Sequence, residues 1–235
     1  MNIFLHIIRT LKYKYAITNS TRFICYLRKK GIQIGDDCFF QSPKTAVVDT
    51  TRPLLVEVGN HCYFLENFTL LTHDNVAKVF GPLKQDFIPS SGKVVIGNNV
   101  YFTRNCTVLK GVTIGDNCII GYGSTVLKSI PTNSVVAGTP AKVICSVDEY
   151  YERRKKESLN EAFDLVKTIY NKTGKRPTVE QMWEEFPFWL DGNKDDNRLR
   201  FSVKYQTRGF NDYWQKYHKA QFESFDDFID AALKS

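Results

Sequence analysis

From Val94 to Ile144 the large apolar residues stand at Ile96, Phe102, Val108, Ile114, Ile120 and Val126, six apart without a slip. Four positions after most of them comes a small or slender residue: Val100, Cys106, Val112, Cys118 and Ser124. A helix buries positions three and four apart and a strand buries alternate ones, so this period belongs to neither. It fits a coil of short straight sides joined by turns. Three sides close a triangle of roughly eighteen residues, and successive coils stack like residues on like. Gly97, Gly115 and Gly121 are expected where the backbone bends with little side chain. A sandwich of ordinary strands does not hold a period of six over six consecutive repeats.

Ahead of this stretch, Ile34, Phe40, Val58, Phe64 and Leu70 share a second phase of the same period. The phase changes across DNVAKVFGPLKQDFIPSSGK, whose glycines and prolines predict a loop projecting from a corner over residues 75–93. AVVDTTRPLL keeps the register but puts Arg52 and Pro53 where a core residue belongs, which predicts a smaller protrusion. Outside the repeats the pattern turns helical. Phe4, Ile7, Ile8 and Leu11, then Phe23, Tyr26 and Leu27, predict two short amphipathic helices within an arm of residues 1–31. After the repeats, residues 146–235 form an extension opening with a long helix that carries Leu159, Phe163, Val166 and Ile169 on one face and ends by Gly174 and Pro177. PTVEQMWEEF predicts a second helix, and SFDDFIDAALK a last one with Ser224 as its N-cap. The aromatic residues between them read as core packed against the repeat domain, or else as platforms for sugar rings.

The segment IGYGSTVLKSIPTNSVVAGTPAKVI, together with the repeats, makes residues 32–145 resemble the hexapeptide acyltransferases. Within them it is most similar to the maltose and galactoside O-acetyltransferases and their polysaccharide-modifying relatives. The resemblance implies a mainly β protein, a left-handed parallel β-helix with an N-terminal helical arm and a C-terminal α-helical extension. It also implies a homotrimer that takes acetyl from acetyl-CoA, without a metal, and passes it directly to a sugar hydroxyl of a capsule or O-antigen glycan or its precursor. Two other readings remain open. One is an N-acetyltransferase acting on an amino sugar; the other is a non-catalytic scaffold of a glycan-assembly complex.

Acetyl transfer to a hydroxyl needs a base, and histidine is suited to it at neutral pH. Of His6, His61, His73 and His218, only His73 stands in a Thr-His pair at the start of the projecting loop, ahead of Gly92 and Lys93 where the repeat resumes. The resemblance carries the general-base role to His73. Asn67, six residues earlier, is a candidate for contacting the sugar or polarising the acetyl group, and Asp74 for orienting the imidazole. The relatives commonly place a glutamate before the Gly-Lys re-entry to hold the histidine; Ser90 and Ser91 stand there here, which leaves the orienting group open. The resemblance also implies a cofactor groove between subunits. It involves the segment of Tyr101, Thr103 and Arg104, with Gly121, Tyr122, Gly123 and Ser124 along the pantetheine arm, the backbone near Leu127, and Lys128 and Lys142 facing the phosphates. A three-histidine zinc site of the γ-carbonic anhydrase kind is excluded, because only His61 and His73 lie within the coils.

Charge alters the picture at one end. Of 235 residues with a net charge of +7, residues 1–30 hold Arg9, Lys12, Lys14, Arg22, Arg28, Lys29 and Lys30 and no acidic residue, so the remainder balances to zero. Such an arm either caps the open end of the β-helix or contacts an anionic membrane surface. No nucleic-acid motif accompanies the charge. Neither a membrane span nor a signal peptide is expected, and the cytoplasm, where acetyl-CoA is, is the expected location. Cys38, Cys62, Cys106 and Cys118 fall at the small inward position and are expected in the core.

Overall fold

The computed structural model describes residues 3–235 and side chains from Ile7 onward, so the side chains of Phe4 and His6 lie outside the described residues. The chain divides into two compact units, Met1–Tyr150 and Tyr151–Ser235.

In the first unit three parallel sheets form the faces of a prism. One is made of Gln33–Ile34, Val56–Val58, Val94–Ile96 and Thr113–Ile114. The next holds Phe39–Phe40, Tyr63–Phe64, Val100–Phe102, Cys118–Ile120 and Ser134–Ala137, closed by the antiparallel Lys142–Ser146. The third holds Val47–Val48, Thr69–Leu70, Thr107–Val108 and Thr125–Val126. Strict register stacks Ile34 on Val58, Ile96 and Ile114, then Phe40 on Phe64, Phe102, Ile120 and Val136, then Val48 on Leu70, Val108 and Val126. The rings of Phe40, Phe64 and Phe102 lie nearly parallel, with centroids 4.4 and 5.1 Å apart. Phe68 breaks the small-residue rule at the inward position and fills the axis against Phe64 and Phe102. Cys38, Cys62, Cys106 and Cys118 are free and buried at that position.

The register of the first coil locates the protrusion read at AVVDTTRPLL. Phe40 and Val48 lie on successive sides but eight residues apart, and Val48 to Val58 spans ten. An excess of two followed by an excess of four restores the modulo-six phase, which is why the sequence pattern keeps its register there. The excess of four contains a 3₁₀ turn at Pro53–Leu55. The longer loop of the second coil is also more ordered than its composition suggested. His73–Asp74 pairs antiparallel with Ser90–Ser91, and a short helix at Ala77–Lys84 runs between them.

Gly97, Gly115 and Gly121 fall at corners, as expected, each directly after a strand. The tight corners are made by residues of positive φ, among them Asn99, Asn105, Asn117 and Gly123. Gly97 instead permits a close approach of coils: a Cβ there would stand 2.4 Å from Asp116 Oδ1 and 2.8 Å from the Gly115 carbonyl carbon.

The arm consists of α1 (Ile3–Ala16) and α2 (Ser20–Lys29), the latter capped by the Asn19 side chain accepting from the Arg22 amide. α2 buries Phe23, Ile24 and Leu27 and sets Phe23 edge-on against Phe40 of the first coil. On α1 the expected inward pair, Ile7 and Leu11, is exposed.

The second unit has its own core. The long helix Val147–Thr173 supplies Ala162 and Val166, which pack with Met182, Phe186, Trp189 and Phe228. PTVEQMWEEF is a run of turns ending in a 3₁₀ turn at Phe186–Phe188, not the helix expected. Pro187 disfavours helical backbone at the residue before it, and a ten-residue segment is marginal as a helix without it. The last helix, Phe225–Lys234, is N-capped by Ser224, whose hydroxyl accepts from the Asp227 amide.

Gly97→Ala forces backbone apart at the coil interface and is expected to cost about 1–3 kcal/mol, read as a lowered denaturant midpoint at unchanged slope.

Candidate active site

The excess of four in the first coil and the long loop of the second open at the same edge of the prism, where the third face turns into the first. Val48 pairs with Leu70, so Asp49, Thr50 and Thr51 leave one coil directly beside Leu71, Thr72 and His73 of the next. The ladder continues across that turn, the Asp49 amide donating to the Leu70 carbonyl at 3.0 Å. Residues twenty-four apart in sequence thereby meet.

The meeting is a hydrogen-bonded cluster around one buried carboxylate. Asp49 is 7% exposed. Its Oδ1 accepts from the Thr51 amide at 2.9 Å and the Thr51 hydroxyl at 2.6 Å. Its Oδ2 accepts from the Thr72 amide at 3.2 Å, from the buried Thr72 hydroxyl, and from His73 Nδ1 at 2.6 Å. Burial alone would raise the Asp49 carboxyl, but the Thr51, Thr72 and His73 donors outweigh it and hold it well below the usual carboxylate range. An ionised acceptor fixes the proton of a neutral imidazole on Nδ1 and leaves Nε2 as the acceptor. Among the described residues Nε2 has no hydrogen-bond partner, and the ring is partly exposed.

Asp49 is the orienting group that the sequence left open. Nothing in its spacing pointed to it, because the two insertions concealed which residue follows the third face. Asp74, proposed for that task, turns instead to the base of the projecting loop. It is exposed, pairs with Lys110 and accepts from Ser90 Oγ at 3.1 Å. Lys110, in the coil above, was not singled out by the sequence.

The remaining candidates fall on two edges. Leu127 and Lys128 share the edge of His73, since Val126, Val108 and Leu70 are in register. Asn67, Arg104 and the run from Gly121 to Ser124 lie at the opposite end of the same short strands. Asn67 and Asn105 are corner residues with φ of 61° and 62°, and Asn67 Nδ2 donates to Asn105 Oδ1 at 2.7 Å. Asn67 precedes the side Thr69–Leu70 and His73 follows it, and among the described residues no hydrogen bond joins the two. Tyr122 is exposed and its hydroxyl accepts from Asn105 Nδ2 at 2.7 Å. Ser124 is not a groove residue: its side chain is fully buried and donates to the Gly121 carbonyl. The Thr103 hydroxyl donates to the Ile120 carbonyl at 2.9 Å, and Arg104 Nε pairs with Glu66 at 2.6 Å. Tyr101 is partly exposed on the second face. Lys142 and Lys128 are exposed, with no carboxylate partner among the described residues. His61 stands at a third corner against Asp37 and does not converge with His73.

The Asp49 cluster has a pH signature. A carboxyl depressed in the folded state contributes stability that is complete above its unfolded pKa of about 4 and lost as pH falls below it. Urea midpoints of the wild type and of Asp49→Asn are therefore expected to differ at pH 7 and to begin converging only as pH falls below about 4, towards the depressed folded-state value.

The repeats at residues 93–128 match the bacterial transferase hexapeptide family (six repeats). Over 124 residues the chain is 38% identical to Protein CapG of Staphylococcus aureus, covering 53% of this chain and 71% of that one. It is 32% identical to a galactoside O-acetyltransferase of Lactococcus lactis subsp. lactis (strain IL1403), covering 62% and 80%. It is also 32% identical to the putative lipopolysaccharide biosynthesis O-acetyl transferase WbbJ of Escherichia coli (strain K12), covering 52% and 76%. A maltose O-acetyltransferase from Clostridium difficile 630 superposes with a TM-score of 0.42 at 22% identity, over 58% of this chain and 83% of that one. The stacked three-sided coils and these relatives together make the chain a member of the hexapeptide-repeat acetyltransferases, with their left-handed parallel β-helix.

Proposed function

We propose that the protein is an acetyl-CoA-dependent O-acetyltransferase that modifies a sugar hydroxyl of a surface polysaccharide, capsule or O-antigen, or of its precursor. The observation that carries this reading is the His73 imidazole held on a buried, ionised Asp49 with Nε2 unpartnered. Relatives named as galactoside and lipopolysaccharide O-acetyltransferases support a hydroxyl acceptor over an amine.

In this mechanism His73 Nε2 accepts the proton of the sugar hydroxyl as that oxygen attacks the thioester carbonyl. Asp49 stabilises the imidazolium that forms. The tetrahedral intermediate collapses with loss of the CoA thiolate, which takes the proton back from His73 Nε2. No bond to the enzyme forms. The backbone of Gly121, Tyr122 and Gly123, the edge at Leu127, and the cations of Lys128 and Lys142 would hold the pantetheine arm and phosphates.

A second copy of the chain completes this site. His73 and the Gly121–Gly123 run lie on different edges of one prism, so bringing them together requires the edge of a neighbour. The projecting loop presents Val79, Leu83, Phe87 and Ile88 to solvent on the isolated chain, an apolar surface of the kind subunits cover. This supports a homotrimer with one site between each pair of chains. On this reading residues 32–145 are the catalytic domain, 1–31 an arm and 146–235 an extension. No described helix is long and apolar enough to cross a membrane. The basic arm supports action on the cytoplasmic side, in peripheral contact with the membrane.

His73→Ala is expected to bind CoA as the wild type does while turnover falls by about 10²- to 10⁴-fold. Asp49→Asn is expected to lower kcat by roughly 10²-fold with little change in KM for the sugar, because the imidazole loses its fixed tautomer. Calorimetric titration with CoA, then rates with hydroxyl and amino sugars, checks both; undiminished turnover in His73→Ala would place the base elsewhere. Leu83→Asp with Phe87→Asp is expected to shift the sedimentation mass from three chains to one.

A further inference from the structure

The arm holds features that neither capping nor acetyl transfer uses. Between α1 and α2 lies a cavity of about 480 Å³ walled by Tyr15 and Tyr26 and lined by Lys12, Arg22 and Lys29, with no carboxylate in its lining. Arg22 is braced over the Tyr15 ring at 4.3 Å and donates one N–H to Thr18 Oγ1 at 2.8 Å. Its other guanidinium donors, like Lys12 and Lys29, meet no acidic group among the described residues. Three cations converging without a counter-ion form a site for an anion with several oxygens.

The neighbouring surface indicates where that anion is carried. Ile7, Leu11 and Tyr15 follow one another at four-residue spacing along α1 and are 49%, 60% and 61% exposed. On a helical wheel Lys12 and Lys14 flank this row on its two sides. An apolar row edged by lysines, with tyrosines nearby, suits a helix lying in the interfacial layer of a bilayer. The charge agrees: residues 1–30 hold all of the chain's net +7. Capping of the first coil is already performed by Phe23, Ile24 and Leu27 on the other side of α2, which leaves the outer face uncommitted.

We propose that the outer face of α1 and α2 binds an anionic membrane surface, with a lipid headgroup phosphate in the Lys12–Arg22–Lys29 cavity and the Ile7–Leu11–Tyr15 row in the interfacial layer. This gives the enzyme a lipid phosphate as a partner at a place separate from His73. Acceptors built on a lipid carrier would then be met at the surface where they reside.

The test is co-sedimentation of the full chain with vesicles, which reads no acetyl transfer and so stands or falls apart from the chemistry at His73. Vesicles of phosphatidylcholine with phosphatidylglycerol are expected to pellet the protein, and vesicles of phosphatidylcholine alone to leave it in solution. Rising salt should release it as the surface charges are screened. Lys12→Gln, Arg22→Gln and Lys29→Gln are each expected to weaken binding by about fivefold, near the worth of one surface charge. Leu11→Glu should weaken it further, with turnover on a soluble sugar unchanged. Inorganic pyrophosphate should compete. No pelleting by anionic vesicles overturns the proposal, as does equal binding by wild type and the triple glutamine variant. Pyrophosphate binding without vesicle binding would assign the cavity to a soluble phosphate. A Leu11→Glu chain that binds vesicles normally but loses its oligomer would assign the row to a second copy.

Discussion

The structure depends on stacking like on like along the prism axis. Each inward residue lies in register with its counterpart in the next coil, so the three columns built on Ile34, Phe40 and Val48 bury apolar surface continuously while every side exchanges ladder hydrogen bonds with the coils around it. The constraint is local to the sides. It fixes where Phe102 and Ile120 sit but does not require that the corners between sides have one length. Extra residues can therefore leave at a corner and return without disturbing the columns, as loops on rigid scaffolds commonly do.

The site arises from that freedom. Two successive coils extrude chain at the same edge, four extra residues after Val48 and twenty after Leu70. Asp49 directly follows Val48, and His73 stands three residues after Leu70. They are rigidly placed because Val48 and Leu70 are paired just before them and His73 itself pairs with Ser91. The carboxylate is then buried with enough donors to stay ionised, and the imidazole is bound to it by a short hydrogen bond. Lys110 on Asp74, together with the pairing of His73–Asp74 to Ser90–Ser91, fastens the base of the long loop that follows. The prism orients the imidazole, and the loop shapes what can approach it.

The two ends of the chain show the same principle in weaker form. α2 uses one side to close the first coil through Phe23 against Phe40, which leaves the basic and apolar side of the arm for a surface. The second unit packs Trp189, Phe228 and Met182 into a core of its own, so much of its aromatic content is accounted for by its own packing. Tyr205, Tyr213 and Tyr217 remain exposed on it.

The sequence alone determined the coil. A period of six held over Ile96 to Val126 is readable because the columns demand one large residue per side, whatever lies at the corners, and the family follows from the same residues. The place of His73 was legible too, since a histidine at the mouth of a long insertion is a local feature. The tertiary structure decided what holds it. Asp49 lay hidden because insertions of two and four residues sum to one repeat, so the count modulo six returned to phase and the protrusion read at AVVDTTRPLL did not show which of its residues meets the next coil. Asp74 looked right because it was adjacent, yet a neighbour along a strand points to the other face. Asn67 and His73 lie at opposite ends of one side, so six residues of separation carry the chain from one edge to another. Which residues meet at an edge is set by the register between coils, and register is a relation between distant segments that no local pattern displays.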